Sequence, residues 1–403
     1  MTRIVFAGGK VFDGSGAPAQ AGDVVIEGDR IVEVGTGLDG DEVVDATGHT
    51  VLPGLFDCHT HFMFGDIDTV KALNTPFSLP FYQAIHNMRA TLETGVTSVR
   101  DAMGADLGVA TAVRTGLIAG PRIKIAINMV SQTGGHGDDW LPCGVHGSVL
   151  HPGMPNAVGD GPEELRRIIR ELVRAGADVI KIATSGGVLS PRSNPRLGQF
   201  RDEEVAMVVA EAAAAGIFVM SHAQATDGIK VAARNGVRSV EHGVFLDDEA
   251  VELMLEHGTW LVPTLTAPRA VLKQIAAGMT VSEQIRDKAI SVSARHDESV
   301  RMAVAAGVKI AMGSDSGVGP HGDNLDELPL MVASGLSPAA ALHAATRSAA
   351  ELLGVDGELG TLEAGKKADL VLVQGDAEEL AARSGGEFRS AVRGVWMDGK
   401  KVV

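Results

Sequence analysis

The stretch from Val51 to Phe62, VLPGLFDCHTHF, constrains this chain more than any other. An apolar run broken by Pro53 and Gly54 re-forms at Leu55 and Phe56, then ends in His59 and His61. In an extended strand, side chains at i and i+2 leave the same face. Both imidazoles can therefore grip one cation, and packing alone gives an apolar strand no reason to end that way. Cys58 points to the opposite face and reads as core.

What surrounds this stretch alternates with a longer period. Strand-like runs begin with LFDCHTH and continue through TSVRDAM, RIKIAINMVS, DVIKIATSGG, IFVMSHAQ, SVEHG, TWLVPTL and KIAMGSDS. Amphipathic stretches such as PEELRRIIRELVRAGA and DEEVAMVVAEAAAAG separate them, each with a Gly near its end. Eight such units predict a (β/α)₈ TIM-type barrel over residues 55–357, with its chemistry at the C-terminal strand ends. The 403-residue length and the 4% aromatic, Gly-rich composition suit that α/β class. Residues 1–54 and 358–403 instead read as short strands with Gly-rich turns, which predicts a small β-sandwich built from both chain ends. His49 falls on that side and reads as structural. Three connections, 132–160, 266–281 and 317–323, are long for βα turns and read as loops that set specificity.

The net charge of −16 argues against nucleic acid or anionic membrane as partner. Two cysteines, Cys58 and Cys143, cannot build a disulfide framework. No secretory leader pattern and no apolar run of membrane-spanning length are legible, so the expected location is cytoplasmic.

The strand ends carry the candidates. Lys181 lies inside an apolar strand, where a solitary ammonium is costly. Beside metal ligands, burial favours the neutral amine, which can take up CO₂ and become an anionic carbamate able to bridge two cations. The fifth strand ends in Ser221-His222-Ala223, the sixth in Glu241-His242-Gly243 and the eighth in Gly313-Ser314-Asp315. Taken singly, each has a bland reading: a satisfied core histidine, a paired lysine, or an aspartate capping the next helix. Together, His59, His61, Lys181, His222, His242 and Asp315 make a coherent site for two divalent cations, zinc before manganese, cobalt or iron. Such a pair acidifies a bridging water and polarises a carbonyl, with Asp315 as the base. The reaction expected is hydrolysis.

With these residues located, the chain resembles the metal-dependent amidohydrolase superfamily over almost its whole length. PGLFDCHTH, VIKIATSGG, SHA, EHG and GSD carry the resemblance in order. SQTGGHGD, VIKIATSGGVLSP and PHGDNLDEL are similar to the prolidase-like dipeptidase branch, peptidase family M38. The resemblance implies His59, His61 and Asp315 on one metal, His222 and His242 on the other, a carboxylated Lys181 bridging them, and a homo-oligomer. Gln224 stands where some relatives carry a further histidine. The absence of an acid shortly after His222 disfavours deamination, and a buried Lys181 disfavours mononuclear imidazolone-type hydrolysis.

The expected substrate is a small amide, a dipeptide or N-acyl amino acid. Ring-opening of a cyclic amide, as in hydantoinase or dihydroorotase chemistry, cleavage of a lactam or xenobiotic amide, and a non-catalytic barrel are the alternatives. His136 is the candidate to polarise the scissile carbonyl or hold a carboxylate, and His321, Arg192 and Tyr82 are further substrate contacts. His86, His146, His151, His257, His296 and His343 read as surface or packing residues.

Overall fold

The computed structural model describes residues 2–64, 71, 73–141, 143–147, 151–190, 192–279 and 281–403. Parts of the 132–160 and 266–281 connections, residues 142, 148–150 and 280, lie outside the described residues, as does Pro191.

Both chain ends meet in one eight-stranded sheet, ordered Lys400–Lys401, Val392–Met397, Leu370–Gln374, His49–Pro53, Arg3–Val11, Gln20–Glu27 and Arg30–Gly35, with Glu42–Asp45 paired to Arg3–Val11. The strand alternation expected of these segments buries Phe6, Val24, Ile26, Ile31, Val51, Leu370 and Trp396 on one another. His49 begins a strand of this sheet and its Nδ1 donates to the Thr47 carbonyl. The C-terminal segment does not pack only with the ends. Ala377, Ala381 and Phe388, on helices Ala377–Arg383 and Gly385–Ala391, join Leu325, Leu328 and Met331 in the main core.

The chain leaves this sheet at Gly54, where an added Cβ would meet Thr97 Oγ1 at 2.1 Å, so the close approach requires glycine. It then enters a set of parallel strands. Leu55–Thr60, Val96–Asp101 and Arg122–Ile125 form one sheet. Met129–Val130, Val179–Ala183, Phe218–Ala223, Ser239–His242 and Trp260–Val262 form another. The run read as a third strand is thus split, with Ile127 at φ 67° turning the chain from one sheet to the other. The run read as an eighth strand makes isolated parallel bridges, Leu261 to Ile310 and Thr60 to Ser316. Its backbone hydrogen bonds reach both sheets, through Leu261 N to Lys309 O on one side and Cys58 N to Met312 O on the other. Helices alternate with these strands. Gly161–Ala175 buries Leu165, Ile168, Ile169 and Leu172 and ends at Gly176, φ 97°, in the left-handed conformation. Among the described residues no helix is long and apolar enough to cross a membrane.

One sequence expectation fails here. The 266–281 connection is largely the helix Thr266–Ala276. The buried Glu327 carboxylate accepts from Leu265 N at 2.7 Å and Thr266 N at 2.9 Å and so caps that helix. A cap supplied from 61 residues downstream leaves no local trace in the sequence.

Candidate metal centre

The ends of the parallel strands open onto a cavity of about 530 Å³ whose wall includes His59, His61, His136, Lys181, His222, His242 and Asp315. His59, in strand Leu55–Thr60, and His61, one residue past its end, both face the cavity. Cys58 faces away and packs with Phe56, Trp260 and Val262, where burial pushes its thiol up. His59, His61 and Asp315 offer ligand atoms all within 4.8 Å of one another. Asp315 Oδ1 lies 3.1 Å from His61 Nε2 and 3.4 Å from His59 Nε2. Lys181 Nζ is 3.4 Å from His59 Nε2. The His59 and His242 rings are 5.1 Å apart, His242 and His222 4.5 Å, and His222 and His136 4.1 Å.

The nitrogens turned away from this centre fix the tautomers. A carboxylate or carbonyl oxygen only accepts, so the nitrogen facing it carries the proton. His59 Nδ1 donates to Glu241 Oε2 at 2.7 Å, His61 Nδ1 to the Met103 carbonyl at 3.0 Å, and His222 Nε2 to the Gly186 carbonyl at 3.1 Å. His242 Nδ1 lies 2.7 Å from Thr264 Oγ1. His59 and His61 turn their Nε2 atoms to Asp315 Oδ1, a buried oxygen, and without a cation, against burial, Asp315 raises the His61 imidazole above its ordinary value, so that a proton takes the place a metal would fill. Acceptors gathered around an orphaned carboxylate oxygen suit a cation, and imidazole with carboxylate is a donor set for zinc and its neighbours. The residues present therefore fit a divalent metal.

Charge is arranged to match. Burial pulls the His59, His222 and His242 imidazoles well below their ordinary value, which keeps them neutral as ligands must be. Asp315 stays well below the usual carboxylate range. Burial opposes this, but His59 and His61 hold the anion. Burial also pulls the Lys181 ammonium down to about 8, against the attraction of Glu241 and Asp315.

Sequence reasoning passed over the layer beneath. Arg100 Nη2 donates to Glu241 Oε1 at 2.8 Å and Arg100 Nε to the Cys58 carbonyl at 2.7 Å, while Ser239 Oγ also donates to Glu241. Asp57 accepts from His59 N at 3.1 Å, Ser314 N at 3.0 Å and Asn324 Nδ2 at 2.8 Å, which ties the two segments bearing His59 and Asp315. An Arg in TSVRDAM and the Glu of EHG, both charged within apolar strands, were the available signals. Two of the candidates, His242 at φ 73° and Asp315 at φ 59°, are non-glycine residues in the left-handed region. Such strain gathers at functional sites.

The remaining candidates separate. His136 sits in the wall, and Ser190 Oγ contacts both its Nδ1 and its carbonyl oxygen; burial and Lys181 pull this imidazole down to about 3. Arg192 lines the exposed mouth, its guanidinium 4.3 Å from the Trp140 ring centre. His321 lies outside the lining. Its Nε2 donates to the His61 carbonyl at 3.2 Å and its ring stacks on Phe62, so it buttresses His61 from behind. Tyr82 also lies outside the lining, 64% exposed on helix Leu79–Leu92, because that helix turns Ala84 and Met88 inward instead. Two histidines read as surface or packing do reach the cavity. His151 meets Phe77 and Phe81 at its mouth, and buried His296 arrives from helix Glu283–Ala306.

Comparison with known proteins agrees with this geometry. The model of the Amidohydrolase family matches residues 50–402. An ochratoxinase of Aspergillus niger is 34% identical over 419 aligned positions, covering 98% of this chain and 86% of that protein. A solved Xaa-Pro dipeptidase with bound methionine superposes with a TM-score of 0.91 at 34% identity, covering 99% of each chain. A prolidase complexed with N-methylphosphonate-L-proline gives 0.90 at 37% identity, covering 100% of this chain and 99% of the other.

Proposed function

This chain belongs to the amidohydrolase family, hydrolases acting on amide carbon–nitrogen bonds, and we propose that it cleaves dipeptides or N-acyl amino acids at a pair of divalent cations. The observation that carries this reading is the orphaned Asp315 Oδ1 beside the Nε2 atoms of His59 and His61. In this reading His59, His61 and Asp315 would hold one cation and His222 and His242 the other. Lys181, converted to a carbamate by CO₂, would bridge them. Zinc is the expected metal, since imidazole and oxygen donors suit it. The strands described above would close as a (β/α)₈ barrel over 55–357, with the end sheet of 1–54 and 358–403 folded as a small β-sandwich. When bound, the metals supply Lewis acidity toward the scissile carbonyl and toward water.

The chain's own residues do the rest. Asp315, held as the carboxylate, would accept a proton from the attacking water and deliver it to the leaving nitrogen. His136, in the cavity wall, would polarise the carbonyl oxygen or hold a substrate carboxylate. Arg192 at the mouth would meet a substrate carboxylate. Phe64, stacked on His61 with ring centres 4.7 Å apart, shields that imidazole from water. The dipeptidase and prolidase named among the solved relatives support the dipeptide side of this reading.

Screening zinc-loaded protein against dipeptide and N-acyl amino acid libraries tests the proposal. Release of free amino acid is expected, and a fully metallated protein that cleaves no member of either library overturns it.

A further inference from the structure

Two groups in the cavity wall take no part in the chemistry above. Gln224, 6% exposed, donates its backbone N–H to Ser185 Oγ at 2.7 Å and accepts at its carbonyl from Phe245 N at 2.9 Å, yet its buried side-chain Oε1 has no partner. His296, 1% exposed, donates from Nε2 to the His242 carbonyl at 2.8 Å, and its buried Nδ1 has no partner. Both flank the turn that runs from His242 to Phe245, and both line the cavity. Val188, Val244 and Val292 surround that turn and share the same wall.

The chemistry of this corner is specific. With its Nε2–H committed to a carbonyl, His296 can only accept at Nδ1. A proton on its buried Nδ1 would have no acceptor, so the geometry favours the neutral ring. The Gln224 amide offers one donor group and one acceptor. Neither can compensate a buried charge, which needs a counter-ion. Arg192, the guanidinium of the lining, sits at the exposed mouth over Trp140. A buried polar atom without a partner favours any ligand that supplies one.

We propose that Gln224 and His296, walled by Val188, Val244 and Val292, form a subsite for an uncharged amide on the acyl half of the substrate. The preferred substrate is then a dipeptide acylated at its N-terminus, in place of one with a free α-ammonium. This rests on the amide-hydrolase reading of the same cavity and narrows it.

The test pairs N-acetylated and free forms of the same dipeptides, assayed with zinc-loaded wild type, Gln224→Met and His296→Gln. Wild type should favour the acetylated member by about tenfold or more in kcat/KM, the scale set by one buried hydrogen bond. Gln224→Met should erase that preference by raising KM for the acetylated form, read as the ratio of the two forms within each protein at equal metal content. His296→Gln, judged by the same ratio, checks the second group. Cleavage of both forms with a ratio that neither variant changes overturns the subsite alone. Cleavage of neither by metal-loaded protein overturns the amide-hydrolase reading and the subsite with it.

Discussion

The two halves of the histidine cluster are built differently. His59 leans on the Glu241 carboxylate, itself held by Arg100, and faces the Asp315 anion; His222 and His242 lean on a backbone carbonyl and a threonine hydroxyl. The first half brings its own negative charge and its ligand atoms already lie within 4.8 Å of one another. The second half is neutral. An anionic partner raises the basicity of the imidazole it orients, and a neutral one does so less. A carbamate on Lys181 would supply the charge that the second half lacks, so the two cations of the proposed centre should differ in how they depend on that lysine.

The sharpest way to break this contrast is Asp315→Asn. It keeps the shape and removes the anion that faces His59 and His61 and that the proposed mechanism uses as base, so kcat should fall by roughly 10³- to 10⁴-fold with the fold intact by circular dichroism. Retained turnover would put the base elsewhere. Lys181→Ala should come next. Metal analysis should show preferential loss of the weaker-held ion, and short carboxylic acids should restore part of the activity. Equal loss of both ions would erase the distinction between the halves.

The metal-free protein carries the same contrast into its pH dependence. Lys181 titrates at about 8 in the fold against 10.5 unfolded, so between those values the unfolded chain binds the extra proton and stability rises with pH. Below about 8 that contribution is absent. The full span is roughly 3 kcal/mol, read as a Tm difference from Lys181→Met across pH 7 to 10.5, and a difference that stays flat would contradict it. Glu241→Gln should weaken metal binding or activity about 10- to 100-fold. Thr264→Val, acting on a neutral partner of His242, should cost less than that, and a reversed order would mean that the carboxylate backing is structural only.

Much of this arrangement was legible before folding, and the reason is geometric. Residues late in each apolar strand share one rim when the strands run parallel, so His59, His61, Lys181, His222, His242 and Asp315 could be brought to one cavity from order alone. His296 could not, because it enters from a 24-residue helix whose placement depends on packing rather than on any local pattern. Tyr82 and His321 lie outside the lining for the same reason in reverse: the sequence does not say which way helix Leu79–Leu92 turns, and a place in the 317–323 connection did not say that His321 lies behind its strand. Glu241 stood inside a recognised motif, yet only the reach of Arg100 across the strands gives it a task. The helix Thr266–Ala276 stayed hidden because Glu327 caps it from afar.

The most direct test is an anomalous difference map at the zinc edge from crystals grown with zinc and bicarbonate. Two peaks are expected, one among His59, His61 and Asp315 and one between His222 and His242, with an elongated Lys181 side chain joining them. Zinc bound elsewhere, or a Lys181 that remains a bare amine apart from both peaks, would contradict the account.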